Sequence, residues 1–530
     1  MGRQASTSKT SSDPLLQAMR EELDRSKAQL KMENVPAPYY IEYRLWDVDE
    51  YDAEAMFGTL GRDDRTHVRS MRVVVRVGDY KQDSYYGPGI GVATFAPLDN
   101  DATALRWQLW QATDAAYKAA SEALAAKKAA LREFTSDQPF DDFAHAAALE
   151  SIEPLAQLDF DPKPFREMMV KATSLYRTDP KIQSLTAQLR FRAVNQYFVN
   201  SEGTATRHGF TVYFLTVDGS TQADDGMRLE RSPDYTTADI KELPTPKQFQ
   251  ADSLKVLQTL KELREAPMVE EDYRGPVLFS PDAANDIFNS MISRNVLGSR
   301  PRPGESARTT GEFASNYKSR VLPAFLSVVD DPTVKVLDGK SLVGSYDTDD
   351  EGVRAAKVEL IEDGQLVNYL LGRMPIRDFP ESNGHGRAAP SQVAFPSIGN
   401  LIVESKQTLS LADIKKKLID LCKEDGKEYG YYAAMLGGVQ LNPRLLYRVY
   451  VKDGHEELVR GAVFNELDTR ALRNDLVAVG NDPLVSNRDG LVPTTVVAPS
   501  IVFDEVEVKR TDTKNAKLPE YPPPNLGASK

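Results

Sequence analysis

Cysteine, tryptophan and histidine are the scarce residues of this chain. One cysteine, Cys422, stands among 530 residues, which excludes an intrachain disulfide and any Cys-only zinc site. It sits in LADIKKKLIDLCKEDGK, where Leu411, Ile414, Leu418 and Cys422 recur at helical spacing, so it reads as a buried helix residue and not as a nucleophile. No apolar run reaches the ~18 residues that a membrane-spanning helix needs. The chain also lacks excess positive charge. Its net charge of -13 argues against general nucleic-acid binding and favours a soluble, acidic surface. The opening MGRQASTSKTSSDP has no apolar segment of the kind a secretion signal carries. The cytoplasm is the expected compartment, and the periplasm is the alternative if a leader has been removed.

What is present is globular: 41% hydrophobic and 27% charged residues. A chain of this length exceeds the ~250–300 residues at which one core stops growing, so two domains are expected. Residues 1–12 read as a disordered leader, 13–268 as an N-terminal α+β domain, 269–510 as a β-rich C-terminal domain and 511–530 as a Pro-rich tail. The expected class is α+β, with mostly antiparallel sheets flanked by helices. Helices are predicted over 13–34, over the Ala-rich 101–134, at 252–266, at 280–298 and around Cys422. For 280–298, Ser280 is the predicted N-cap, Pro281 the first helical residue and Gly298 the C-cap. Strands are predicted at 39–46, 70–80 (alternating, half-buried), 191–199, 210–219, 276–279, 325–329, 431–440, 445–454, 457–466 and 497–510, with a hairpin over 354–371.

The stretch GSYDTDDEGVRAAKVELIEDGQLVNYLL places Asp347, Asp349, Asp350 and Glu351 within five residues. A calcium loop needs ligands at alternating positions and a distant bidentate Glu, and Ala355 and Ala356 stand where further ligands belong. A catalytic carboxylate pair is a second reading. The preferred one is a turn whose carboxylates accept backbone N–H bonds and whose Gly352 takes a positive φ.

The run from Gly344 to Arg373, followed by NGHGRAAP (383–390) and SIGNLIVESK (397–406), resembles the C-terminal region of the TldD/PmbA family, whose members are often labelled modulators of DNA gyrase and are regarded as peptidase subunits. The turn Asn200-Ser201-Glu202-Gly203 is similar to a recurrent Asn-Ser-x-Gly of that family. The acid step occurs in members with and without catalytic metal, which implies shared architecture. In the catalytic TldD-type members the helix after the first strand of this domain carries His-Glu-x-x-x-His. Here the matching helix, SPDAANDIFNSMISRNVLG, has no histidine. The resemblance therefore implies a metal-less, PmbA (TldE)-like subunit with no catalytic residue and no zinc site of its own. It would form a homodimer, or a heterodimer with a TldD-type metallopeptidase, and help bind unfolded peptide.

On the helix, Asn285 and Asn289 are one turn apart and read as polar lining or plain surface. His67 is expected before a strand, His145 on a helix, His208 and His385 in loops and His455 in a turn, all as surface or loop residues. Asp349, Asp350, Glu351 and His385 are the clustered candidates for a cation other than zinc, with Gly352 and Arg387 in the same motif. The segment 299–320 reads as a mobile loop at the peptide chamber or as ordinary surface. Two further functions stay open: a self-contained hydrolase using 347–351, and a homodimeric peptide-binding protein without a catalytic partner.

Overall fold

The structure is a computed structural model that describes residues 13–132, 140–301, 305, 307–438, 440–512 and 517–521. The expected leader 1–12, most of the tail, and residues 302–304 and 306 of the 299–320 segment lie outside the described residues.

The N-terminal half is organised by long antiparallel strands. Helix α1 (Pro14–Gln29) is capped by Asp13, whose carboxylate accepts the Leu15 and Leu16 amides. Strands β1 (Pro38–Met56) and β2 (Thr59–Val77) form one hairpin. Its two-residue turn, Phe57-Gly58, has φ of 49° and 78°, the left-handed pair that matches strand twist. Then come β3 (Val92–Phe95), α2 (Ala102–Leu131), β4 (Glu150–Ile152), α3 (Lys163–Thr173), β5 (Ile182–Asn200), β6 (Ala205–Gln222), β7 (Arg228–Arg231), β8 (Asp234–Thr237) and α4 (Pro246–Glu265). The sheet runs β3-β2-β1-β5-β6-β4, with β7 and β8 also on β6. Helices α1 and α2 cover one end, burying Leu16, Met19, Leu109 and Tyr117 against Tyr43, Val73 and Val75. Helices α3 and α4 cover the other, around Leu185, Phe191, Leu215 and Leu260.

The C-terminal half begins with β9 (Tyr273–Phe279) and α5 (Pro281–Phe288), followed by β10 (Leu326–Asp330). It holds a six-stranded sheet built on β10 and a seven-stranded sheet built on β9. Phe279, Ile287, Phe288, Val328, Leu360, Leu401 and Phe503 form the core between them. Helix α6 (Leu411–Glu424) packs Ile414, Leu418 and Cys422 on Leu278, Val449 and Val502. Cys422 is fully buried, and burial pushes its thiol up to about 11.

The α+β architecture and its mostly antiparallel pairing are as expected, with parallel exceptions such as β9 with Tyr429–Gly437. Several local expectations are corrected. The 70–80 strand is no half-buried ribbon: Met71 to Val77 are all buried, because helices cover one face while residues 83–91, Phe143 and Ser391 meet Arg72, Val74 and Arg76 on the other. Helix α5 continues as a single wide turn, Asn289–Ser293, and Gly298 is not its cap. Gly298 instead donates its N–H to Leu370 O at 2.8 Å. The run 457–466 is two strands, Glu456–Val459 and Ala462–Asn465, broken at Gly461 with φ 74°. Likewise 497–510 divides between the two sheets, as Thr494–Ala498 and Ile501–Arg510. His145 is on no helix and stacks on Tyr80. His67 and His208 lie within β2 and β6, not before a strand or in a loop.

Candidate functional site

The acid step forms a buried turn at the junction of the two halves. Asp349 is 2% exposed. Its Oδ1 accepts the amides of Glu351 at 3.0 Å and Val353 at 2.8 Å, and its Oδ2 accepts Gly386 N at 2.9 Å. Asp350 Oδ2 accepts Ala388 N at 2.6 Å and lies 3.4 Å from Arg387 Nε. With its amide oriented to satisfy both neighbours, Gln196 of β5 donates to Asp350 Oδ1 at 3.0 Å and accepts from Trp46 Nε1 at 2.8 Å. Glu351 Oε2 accepts Arg373 N at 2.6 Å. Gly352 has φ 76°, and a Cβ there would stand 2.6 Å from the Phe198 ring and 2.8 Å from Thr204 Cγ2, both in the N-terminal half. The Asp347 carboxylate instead meets Lys335 near the surface.

Burial and the neighbouring Glu351 push Asp349 up to about 8, against the amides that favour its charge. Burial also raises Glu351, against the pull of Arg44. The turn therefore carries fewer negative charges at neutral pH than its sequence suggests.

The junction around it is polar and closed. Arg373 is fully buried and spans both halves. Its guanidinium bonds Glu202 at 2.7 and 2.8 Å and Ala144 O at 2.7 Å, and stacks over Phe143 at 4.1 Å. Glu202 is the third residue of the Asn200-Ser201-Glu202-Gly203 turn, where Asn200 Oδ1 accepts the Glu202 and Thr204 amides. Arg44 and Glu42 of β1 form a buried pair at 2.6 Å beside it. The sequence reading did not single out Arg373, Arg44 or Glu42. Arg373 closes the Tyr369-Leu370-Leu371 strand motif, and a charged residue there was the available signal.

The predicted candidates separate. His385 lies in a loop as expected, but it is fully buried and not at the surface: its Nε2 meets Asp330 at 3.1 Å and its Nδ1 meets Asn383 O at 3.0 Å. It does not join Asp349, Asp350 and Glu351, although its neighbours Gly386 to Ala388 do. Arg387 stacks on Tyr346 at 4.0 Å. Asn285 is neither lining nor surface. It is fully buried and donates to Leu484 O at 3.0 Å, while Asn289 is partly exposed. The outward groups of α5 are Asp282 and Asp286, the latter 2.9 Å from Arg488. Burial, with Asp286 and Asp234 nearby, pushes Asp282 up to about 6. Among the described residues, no three His, Cys, Asp or Glu side chains are grouped to hold a metal ion. A zinc site of the His-Glu-x-x-x-His kind does not fit α5, which offers no imidazole.

Comparison with known proteins agrees with this geometry. Residues 272–510 match the PmbA/TldA metallopeptidase C-terminal domain. The C-terminal part of the chain is thus similar to the TldD/PmbA family. The chain is 26% identical over 195 residues to the metalloprotease PmbA of Escherichia coli, a match covering 36% of this chain and 38% of that relative. It is 23% identical over 252 residues to a metalloprotease TldD homolog of Buchnera aphidicola, covering 44% and 48%. The matches thus span less than half the length of these relatives. The fold resembles that of TldE from Thermococcus kodakarensis, with a TM-score of 0.60 and 14% identity over 93% of this chain and 99% of that one. Among the described residues no helix is long and apolar enough to cross a membrane.

Proposed function

We propose that this chain is a metal-less subunit of the TldD/PmbA kind that dimerises and helps hold unfolded peptide for cleavage by a metallopeptidase partner. The supporting observation is the chemistry of α5 and its wide turn. Where the resemblance implies two imidazoles and a glutamate in catalytic members, residues 281–293 read PDAANDIFNSMIS, with no histidine and no glutamate. Zinc binding needs three or four N, S or carboxylate donors in one shell, and an amide is a poor substitute. The acid step offers no replacement, since its carboxylates are engaged by backbone amides. Asp349, poised near 8, is the one feature that favours the alternative of a self-contained hydrolase. Its burial opposes that role, because a general acid must reach substrate.

The test incubates the purified chain with a disordered polypeptide, with and without Zn²⁺, Mn²⁺ or Mg²⁺. Binding without turnover is expected, with less than stoichiometric zinc by elemental analysis, and with hydrolysis once a His-Glu-x-x-x-His relative is added. Metal-dependent cleavage by the chain alone, lost in D350A/E351A with intact circular dichroism, would overturn the proposal.

A further inference from the structure

The β1–β2 ladder sets two arginines directly opposite each other, Arg44 and Arg72. Like charges facing across a ladder repel. Neither can turn to water, since Arg44 is 5% exposed and Arg72 6%. Arg72 donates to two carbonyls, Ser391 O at 3.0 Å and Ile90 O at 2.6 Å, and bonds no carboxylate among the described residues. Its Nε has no partner there. Arg44 holds one carboxylate, Glu42, and its Nε and Nη1 have no partner among the described residues. A buried cation without a counter-charge is costly, and a buried N–H without an acceptor adds to the cost.

Arg44 also lines a small cavity at the seam of the two halves, of about 20 Å³. Its walls include Phe198 and Thr206 of the N-terminal half and Thr348, Asp349 and Asp350 of the acid step. A single water needs ~10–15 Å³ of such space, and a chloride ion is only slightly larger. Sulfate, phosphate and carboxylate ligands do not fit. The two acids on the wall do not close it to an anion. Asp350 is engaged by Arg387 and by the Ala388 amide. Asp349, pushed up to about 8, keeps its proton at neutral pH. We propose that this cavity holds a halide-sized monovalent anion, chloride in ordinary buffers, with the free N–H groups of Arg44 as its donors and Arg72 as the second cation that its charge offsets. A water could accept from Arg44, but it would leave the two facing guanidiniums uncompensated. Because the walls come from both halves, the ion ties the β1–β2 ladder to the acid step.

Crystals grown in sodium bromide test the site directly, because bromide replaces chloride and scatters anomalously. A bromide peak against Arg44 is expected. In solution, urea unfolding is followed across a chloride series at constant ionic strength, with gluconate as the balancing anion. Above half-saturation, each tenfold rise in chloride should raise the folding constant about tenfold. Arg44→Gln should abolish that dependence. Because Arg44→Gln also strands Glu42, Thr206→Leu serves as a second variant, filling the cavity while the Arg44–Glu42 pair stays in place. Arg65→Gln, which breaks a pair with Asp49 at the surface, should leave the dependence intact and controls for general salt effects. Circular dichroism confirms folding. A peak in the cavity that does not become anomalous in bromide is a buried water and overturns the proposal. A bromide peak without any chloride dependence in solution is an adventitious ion only and overturns it too, as does a dependence that survives in either Arg44→Gln or Thr206→Leu.

Discussion

Replacing Gly352 tests whether the acid step is a turn wedged between the two halves. Two effects add there. The backbone has φ 76°, where a side chain is strained by ~1–3 kcal/mol. A Cβ would also stand 2.6 Å from the Phe198 ring and 2.8 Å from Thr204 Cγ2. Phe198 is 4% exposed and cannot swing away into solvent, so overpacking adds ~1–3 kcal/mol. The total for Gly352→Ala is ~2–6 kcal/mol, and more for Gly352→Val with its β-branch. Gly426, after α6, isolates the first effect: its φ is 65° and nothing stands within 4 Å of its would-be Cβ. Gly426→Ala should therefore cost only the strain. The assay is urea unfolding of both variants against wild type, read by the midpoint at constant slope. Gly352→Ala should be the more destabilised by ~1–3 kcal/mol, and Phe198→Leu in the same background should recover part of that difference but none of the strain. Equal midpoints for Gly352→Ala and Gly426→Ala would refute the wedge.

Other outcomes follow from the same junction. Asp349→Asn should destabilise less than Gly352→Val, because Oδ1 keeps two amides and only the Gly386 contact is lost, worth ~1–3 kcal/mol in chemical denaturation. Arg373→Ala should lose ~3–5 kcal/mol, since it leaves the Glu202 carboxylate without its cation, held only by Tyr80 and Asn200, and Ala144 O without its guanidinium donor, and Arg373→Lys should recover little, because an ammonium cannot reach both at once. The raised Asp349 makes stability fall with pH. The folded state keeps a proton up to about 8 that the unfolded state releases near 3.8, so stability declines between those values as pH rises. Melting curves at pH 6 and pH 8 should show the decline, and Glu351→Gln should shrink it by removing the like charge; a pH-independent melt would contradict the assignment.

The sequence by itself determined elements whose signals are local. α1 and α6 follow from side-chain period and α2 from its alanine content, and Ser280 caps α5 because its hydroxyl reaches the Ala283 amide three residues on. Gly352 was legible as a positive-φ position because acid–Gly turns are short-range chemistry. The missing histidines of α5 are a fact of composition at one place in the chain. The tertiary structure alone decided what depends on distant partners. Val497 to Arg510 reads as one strand, yet Pro499-Ser500 divides it between two sheets, since each half finds its ladder elsewhere. His385 looked like a loop histidine near the acids, and packing turned it to Asp330 instead. Asn285 looked polar and outward, and the helix phase set by Ile287 and Phe288 buried it against Leu484 O. Arg373 and Glu202, 171 residues apart, form the clasp between the halves, and no local pattern pairs them.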